Sequence, residues 1–234
     1  MNKSLKPRSG SLCPAVKSAE IIGDKWVLLI LRELFFGTTR FNEFQRALPR
    51  ISPTILSKRL KKLEADGLII RKTGPRDKTK EYRLTGCGRE LGPVIEHMAI
   101  WGLRWARRSI CDEDLDVASF MWDFHRTLNI TEMPDGETVI SVTFPELKSY
   151  QNWWLVIERE TVDLCTDDPG KDVDLYISSS LNSLVKVWMG DIDVKSARAS
   201  NEVMLTGSSH LMAGANRWFP RSSYADIRPV RLME

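Results

Sequence analysis

The segment "ISPTILSKRLKKLEADG" (residues 51–67) decides how the first half of this chain is interpreted. Ser52 followed by Pro53 is typical of a helix start, with serine as the N-cap and proline in the first turn. One helix face is then formed by leucines at the i, i+4, i+7 spacing: Leu56, Leu60 and Leu63. The remaining surface carries lysines and an arginine and is therefore basic. The acids Glu64 and Asp66 occur only at the C-terminal end of the segment and do not alternate with the lysines. The pattern predicts a helix that packs through its leucines and binds an anion through its basic face.

The charge of the chain is divided between its two halves. Residues 1–110 contain 23 Lys and Arg against 10 Asp and Glu, whereas residues 111–234 contain 11 against 21. The near-neutral total of +3 therefore combines a basic half with an acidic half. A basic domain is typical of proteins that bind nucleic acid, and an acidic domain would be repelled by the same partner. We expect two domains with different partners.

Cysteine usage and hydropathy indicate the compartment. The four cysteines lie far apart without a paired motif, which argues against a zinc site and against a disulfide scaffold. The longest strongly apolar run, "WVLLIL" (residues 26–31), is far shorter than the roughly 18 residues that a membrane-spanning helix needs. The basic N-terminus lacks the apolar segment of a secretion signal. We expect a cytoplasmic protein without a membrane partner.

The segments on either side of residues 51–67 predict a winged helix. A short helical run, "RFNEFQRAL" (residues 40–48), ends at Pro49 and leaves only a tight turn before the next helix. The β-rich runs "LIIRKTG" and "KEYRLT" follow, separated by the turn "PRDK" (residues 75–78), which predicts a hairpin. In a helix-turn-helix protein the second helix enters the major groove of DNA, and a hairpin in this place lies against the backbone.

The predicted DNA contacts are the basic and small polar residues of this helix and hairpin. Lysine and arginine neutralise phosphates, and small hydroxyl side chains at a helix N-terminus approach base edges or donate to phosphate. The alternative is a lysine-rich face that is merely solvated. The candidates are Ser52, Pro53, Thr54, Ser57, Lys58, Arg59, Lys61 and Lys62 in the helix, with Arg76, Lys78 and Lys80 in the wing (residues 75–80).

A long helical pattern from residue 88 to about 109 is apolar on more than one side. Such a helix needs a second partner, and another copy of the same chain is the simplest one. The predicted dimer contacts are Leu91, Val94, Ile95, Met98, Trp101 and Trp105.

Residues 12–109 closely resemble the HxlR-type bacterial transcriptional regulators. The resemblance rests on Cys13-Pro14, on Gly23-Asp24-Lys25-Trp26, on Ile51-Ser52 with the leucines that follow, on Tyr82 with Leu84-Thr85, and on Trp101. It implies a winged-helix homodimer on a palindromic operator, in which the N-terminal helix and the helix after the wing form the dimer contact. Such regulators usually end near residue 110, whereas this chain continues for a second domain.

Cys13 has two interpretations. The resemblance implies a redox or electrophile sensor, because members that sense oxidants use a cysteine at this place. A helix N-terminus with Lys17 and Lys25 nearby would favour the thiolate. The alternative is a small buried side chain in the dimer contact.

The second half predicts an α+β domain. Helices flank a series of strands, and residues 172–219 resemble the sterol carrier protein type two fold, which implies a sheet covered by helices around a tunnel for an apolar small molecule or lipid. The candidate pocket residues are Phe120, Trp122, Phe124, Trp154, Met189, Met204 and Met212. Two alternatives stay open: these residues form an ordinary core, or the domain is only an oligomerisation module.

No catalytic, cofactor or metal motif is found. His97, His125 and His210 stand alone, and neither a glycine-rich phosphate loop nor a G-x-S-x-G nucleophile elbow occurs. We expect a non-enzyme with a flexible N-terminus (1–11), a mainly α winged-helix domain that binds DNA and dimerises (12–110), and an α+β domain for ligand binding or assembly (111–234).

Overall fold

The computed structural model describes residues 12–73, 79–106 and 115–230. The chain divides into two compact units, Met1–Gly102 and Leu103–Glu234, hereafter the N-terminal and C-terminal units. The predicted boundary at residue 110 and the predicted flexible N-terminus (1–11) lie outside the described residues and stay predictions. None of the helices within the described ranges is long and apolar enough to cross a membrane.

The N-terminal unit contains six helices and a two-stranded antiparallel sheet among its described residues. They are α1 (Pro14–Ile22), α2 (Lys25–Phe35), α3 (Phe41–Ala47), α4 (Pro53–Ala65), β1 (Ile69–Thr73), β2 (Lys80–Leu84), α5 (Gly86–Arg89) and α6 (Gly92–Trp101). The predicted start of α4 is confirmed, since Ser52 Oγ accepts the Ile55 amide at 3.3 Å and Pro53 opens the helix.

The structure differs from the prediction of a single helix from residue 88 to about 109. It is divided into α5, α6 and a π-helical segment, Gly102–Ala106. Pro93 lies in the first turn of α6, where its missing amide removes no helical hydrogen bond, so a new helix begins there. The rest of the predicted helix lies outside the described residues.

The core of the N-terminal unit places α4 against α2 and the sheet. Its fully buried apolar side chains include Val27, Ile30 and Leu31 of α2, Phe44 of α3, and Leu56, Leu60 and Leu63 of α4. The predicted leucine face of α4 is therefore confirmed as its packing face. Because that face is fixed, the direction of every other side chain on α4 is fixed with it.

The C-terminal unit is an α+β fold, as predicted, and its sheet has five strands of mixed direction. Its elements are α7 (Val117–Arg126), a 3-10 turn (Ile130–Glu132), β3 (Glu137–Thr143), β4 (Asn152–Glu158), β5 (Thr161–Cys165), β6 (Leu175–Ser179), α8 (Leu181–Trp188), α9 (Val194–Ala199), β7 (Val203–Gly207) and α10 (Ser209–Trp218). The strand order is β5-β4-β3-β6-β7, in which β3 and β6 are parallel and the other pairs antiparallel.

Candidate nucleic-acid interface

The exposed face of α4 lies opposite its buried leucines. Thr54, Lys58 and Lys61 are exposed and follow the i, i+4, i+7 spacing, so they form one line along the helix. Ser52 and Pro53 are exposed at its N-terminal end, and Ser57 is half-buried beside the line. The positive end of the helix dipole adds to the charge of the lysines. This line, Thr54, Lys58 and Lys61, is a surface suited to phosphate and base edges.

Arg59 and Lys62, which the sequence grouped with these lysines, have partners inside the unit. Arg59 Nη2 donates to Asp24 Oδ2 at 2.6 Å. Lys62 Nζ donates to the Ile21 carbonyl at 3.0 Å and lies 3.3 Å from Asp66 Oδ2. Both side chains point from α4 toward the connection between α1 and α2. Sequence reasoning missed these bonds because the partners lie 35 and 41 residues away.

The hairpin places further basic side chains at the surface. Lys80 is exposed at the start of β2 and pairs in register with Thr73 of β1. Arg76 and Lys78, the other predicted wing contacts, lie outside the described residues. Arg71 and Lys72 of β1 are also exposed, although Arg71 lies 3.9 Å from Glu64. The sequence prediction did not include Arg71 and Lys72, although their position close to the predicted turn indicated that they belong to the wing.

Exposed basic residues that the sequence reading omitted also precede α4. Arg46 in the last turn of α3 and Arg50 in the connection to α4 are exposed. They could have been predicted from their position in the helix-turn-helix segment, because the first helix of such a segment crosses the DNA backbone.

Helices α1 and α6 have no buried residue, although both carry apolar side chains. On α6, Val94, Met98 and Trp101 are exposed, Trp101 by 63%. Leu91 and Ile95 are half-buried, and Trp105 in the π-helical segment is exposed. An apolar helix face of this kind, open to water, is typical of a protein contact surface.

Cys13 is exposed at the N-cap position of α1. The backbone amides of Val16 and Ala15 at the start of the helix lower the pKa of its thiol below the usual value. A larger fraction of this thiol is therefore in the reactive thiolate form than in an ordinary exposed cysteine.

The seven predicted pocket residues of the C-terminal unit do not surround one space. Phe120 and Phe124 are buried in the core formed by the helices and one face of the sheet. Trp154 and Met204 lie on the other face, because their strand neighbours Trp153, Leu155 and Val203 point into that core. Trp122, Met189 and Met212 are half-buried on or beside helices. Because successive side chains of a strand point to opposite faces of the sheet, Trp154 and Met204 are separated from Phe120 and Phe124, with which the sequence prediction grouped them.

The remaining titratable groups offer no metal site within the described ranges, where no group of three or more His, Cys, Asp or Glu side chains could hold an ion. His125 is half-buried, with its ring 4.8 Å from that of Trp122, and burial lowers its pKa. His97 and His210 are exposed.

Comparison with known proteins assigns a family to the N-terminal part of the chain. The sequence model of the HxlR-like helix-turn-helix family matches residues 21–110. The uncharacterized HTH-type transcriptional regulator YvaP of Bacillus subtilis strain 168 is 37% identical over 103 residues, which are 43% of this chain and 95% of YvaP. The regulator YdeP of the same strain is 42% identical over 97 residues, 41% of this chain and 76% of YdeP. A structure of the redox regulator HypR in its oxidized form is 36% identical, covers 43% of this chain and 99% of HypR, and has a TM-score of 0.37.

Proposed function

This chain belongs to the HxlR-like helix-turn-helix family of transcriptional regulators, and from that premise we propose that it binds a pseudopalindromic operator as a homodimer. The observation that carries the proposal is the exposed line of Thr54, Lys58 and Lys61, opposite the buried leucines of α4. A cytoplasmic location and the absence of catalytic activity are parts of the same proposal.

In this proposal α4 enters the major groove and the hairpin contacts the backbone. Lys58 and Lys61 neutralise phosphates, while Thr54 and Ser57 near the helix N-terminus approach base edges. Lys80 contacts the backbone beside the helix, together with Arg76 and Lys78, for which the proposal rests on the sequence alone. Phosphate contacts release counterions, so the affinity falls steeply with salt concentration.

The proposed dimer forms through α1 and α6. Both helices lack buried residues in a single copy, and the exposed apolar residues Val94, Met98 and Trp101 lie along one stripe of α6. A two-fold contact uses the same surface on both copies, so one apolar stripe is sufficient for both sides. Two copies of α4 would then meet the two half-sites of the operator.

The C-terminal unit is proposed to bind an apolar small molecule or lipid and to change operator affinity when it does. Its aromatic core and mixed sheet support the comparison with the sterol carrier fold, although Trp154 and Met204 lie on the sheet face away from that core. The alternatives are an oligomerisation module without a ligand and a redox or electrophile sensor that acts through Cys13. The exposure of Cys13 at the N-terminus of α1, where the helix amides lower the pKa of its thiol, supports the second alternative.

The experiment that tests DNA binding starts from a random 30-base-pair duplex library, from which the wild-type protein selects its preferred sequence. Binding to that duplex is then measured over a salt series for wild type, for Lys58→Gln/Lys61→Gln, and for Lys186→Gln, an exposed lysine of α8. We expect the double variant to bind more weakly, with a salt slope smaller by about 1.8 if each lysine neutralises one phosphate. Lys186→Gln should behave as wild type. Selection of no sequence, or an unchanged slope in the double variant, would contradict the proposal.

A further inference from the structure

Two bonds attach α4 to the connection between α1 and α2. Arg59 Nη2 donates to Asp24 Oδ2 at 2.6 Å, and Lys62 Nζ donates to the Ile21 carbonyl at 3.0 Å. Ile21 belongs to the last turn of α1, and Asp24 caps α2 by accepting the amides of Trp26 and Val27 on Oδ1. One side of α4 is thus joined to α1 and α2.

The orientation of Arg59 does not suit a phosphate contact. Its side chain is 26% exposed, and one end of the guanidinium is paired with a carboxylate. Its Nε is buried and has no hydrogen-bond partner among the described residues. A bidentate phosphate contact uses two parallel N–H donors of the guanidinium fork. In Arg59, Nη2 is paired with Asp24 and Nε is buried, so this edge of the guanidinium is not open to a phosphate.

We propose that Arg59 and Lys62 are positioning residues, which set the angle of α4 rather than contacting DNA. This inference rests on the proposed function. The bonds hold the line of Thr54, Lys58 and Lys61 at a fixed orientation relative to α1 and α2. Since α1 is one of the helices proposed to contact the second copy, the same bonds also fix the separation of the two α4 helices in the dimer. They determine how well the protein distinguishes its operator from other DNA.

Replacing Asp24 tests this inference, because a phosphate contact and a positioning role of Arg59 predict opposite changes in DNA affinity. If Arg59 contacts phosphate, Asp24 only competes with DNA for it, and removing the acid strengthens binding. If Arg59 positions α4, removing the acid releases the helix and weakens binding to the operator. Asp24→Asn is the suitable change, because asparagine is as good an N-cap as aspartate and keeps the cap of α2.

The experiment uses the full-length protein and the duplex that wild type selects from the random library. Dissociation constants are measured over a salt series for wild type, Asp24→Asn, Arg59→Gln and their combination, with Lys58→Gln as the matched control on the same helix. We expect Asp24→Asn and Arg59→Gln each to weaken operator binding about tenfold, as for loss of a charged hydrogen bond. The salt slope and binding to a random duplex should stay at the wild-type values. The combined variant should be no weaker than either single variant, because all three remove the same bond.

Lys58→Gln should instead lower the salt slope by about 0.9, as for one phosphate contact. Tighter binding by Asp24→Asn, a lower slope in Arg59→Gln, or wild-type affinity in both variants would overturn the positioning role. If Arg59→Gln does not fold, Arg59→Lys replaces it, and partial retention of operator affinity by lysine is then expected. Failure of wild type to select any sequence would reject the proposed function itself.

Discussion

The indole Nε1 of Trp188 donates a 2.8 Å hydrogen bond to Thr127 Oγ1, which joins the end of α8 to the end of α7. The threonine hydroxyl in turn donates to the Asp123 carbonyl at 2.9 Å. The rings of Trp188 and Phe120 also pack nearly perpendicular to each other, with their centroids 5.9 Å apart. A polar bond and an aromatic contact therefore connect the same two helices of the C-terminal unit.

Removing the Thr127 hydroxyl should destabilise the C-terminal unit. Thr127→Val keeps the size of the side chain but leaves the indole N–H without its acceptor, so we expect the free energy of unfolding to fall by about 1–2 kcal/mol. Urea denaturation followed by tryptophan fluorescence measures this change. Thr206→Val, at an exposed position of β7, is the matched control and should change stability by less than about 0.5 kcal/mol. Equal unfolding free energies of the two variants would show that the Trp188–Thr127 hydrogen bond makes no net contribution to stability.

Trp101→Glu should dissociate the proposed dimer. The change places a charge at the C-terminal end of the exposed α6 stripe, where a second copy would bury it without a partner, so the dimer dissociation constant should rise at least tenfold. Sedimentation equilibrium measures the constant. The control Tyr176→Glu alters another large exposed aromatic residue, which lies in β6 of the C-terminal unit. If Tyr176→Glu rather than Trp101→Glu produces monomers, the C-terminal unit is the assembly module.

His125 should make stability depend on pH. Burial lowers the pKa of His125 in the folded state, so the unfolded chain binds the proton more readily. Its stabilising contribution is complete above the unfolded pKa of about 6.5 and decreases as the pH falls below that value. Unfolding free energies measured between pH 7.5 and 5 should decline less in His125→Gln than in wild type. His210→Gln, at an exposed position, should follow the wild-type curve.

Cys13 should be modified before Cys87 at neutral pH. The helix amides lower its thiol pKa, so its thiolate fraction rises, and the exposed side chain is accessible. Limited labelling with iodoacetamide at pH 7, followed by peptide mass spectrometry, should detect Cys13 before the exposed Cys87. For the sensing alternative, alkylation by iodoacetamide, which joins the Cys13 sulfur to the acetamide carbon and releases iodide, should change operator affinity in wild type and in Cys87→Ser, but not in Cys13→Ser. An equal response of Cys13→Ser would remove this thiol from the mechanism.

The sequence by itself determined the local features of the DNA-binding unit. The start of α4 at Pro53, its Ser52 cap and its leucine face depend on interactions within one turn or one helix, so residue spacing contains the information. Hairpin β1–β2 and the strands of the C-terminal sheet were found for the same reason. Similar spacing in members of one family also made the resemblance visible.

Only the tertiary structure decided which basic residues of α4 face solvent and which bond within the unit. Lys58 and Arg59 are adjacent and carry the same charge, yet Lys58 faces solvent while Arg59 bonds to Asp24, 35 residues earlier. Two of the seven pocket candidates, Trp154 and Met204, were likewise placed on the sheet face away from the core that contains Phe120 and Phe124. Periodicity gives the direction of a side chain relative to its own helix or strand, whereas its partner depends on how distant segments pack.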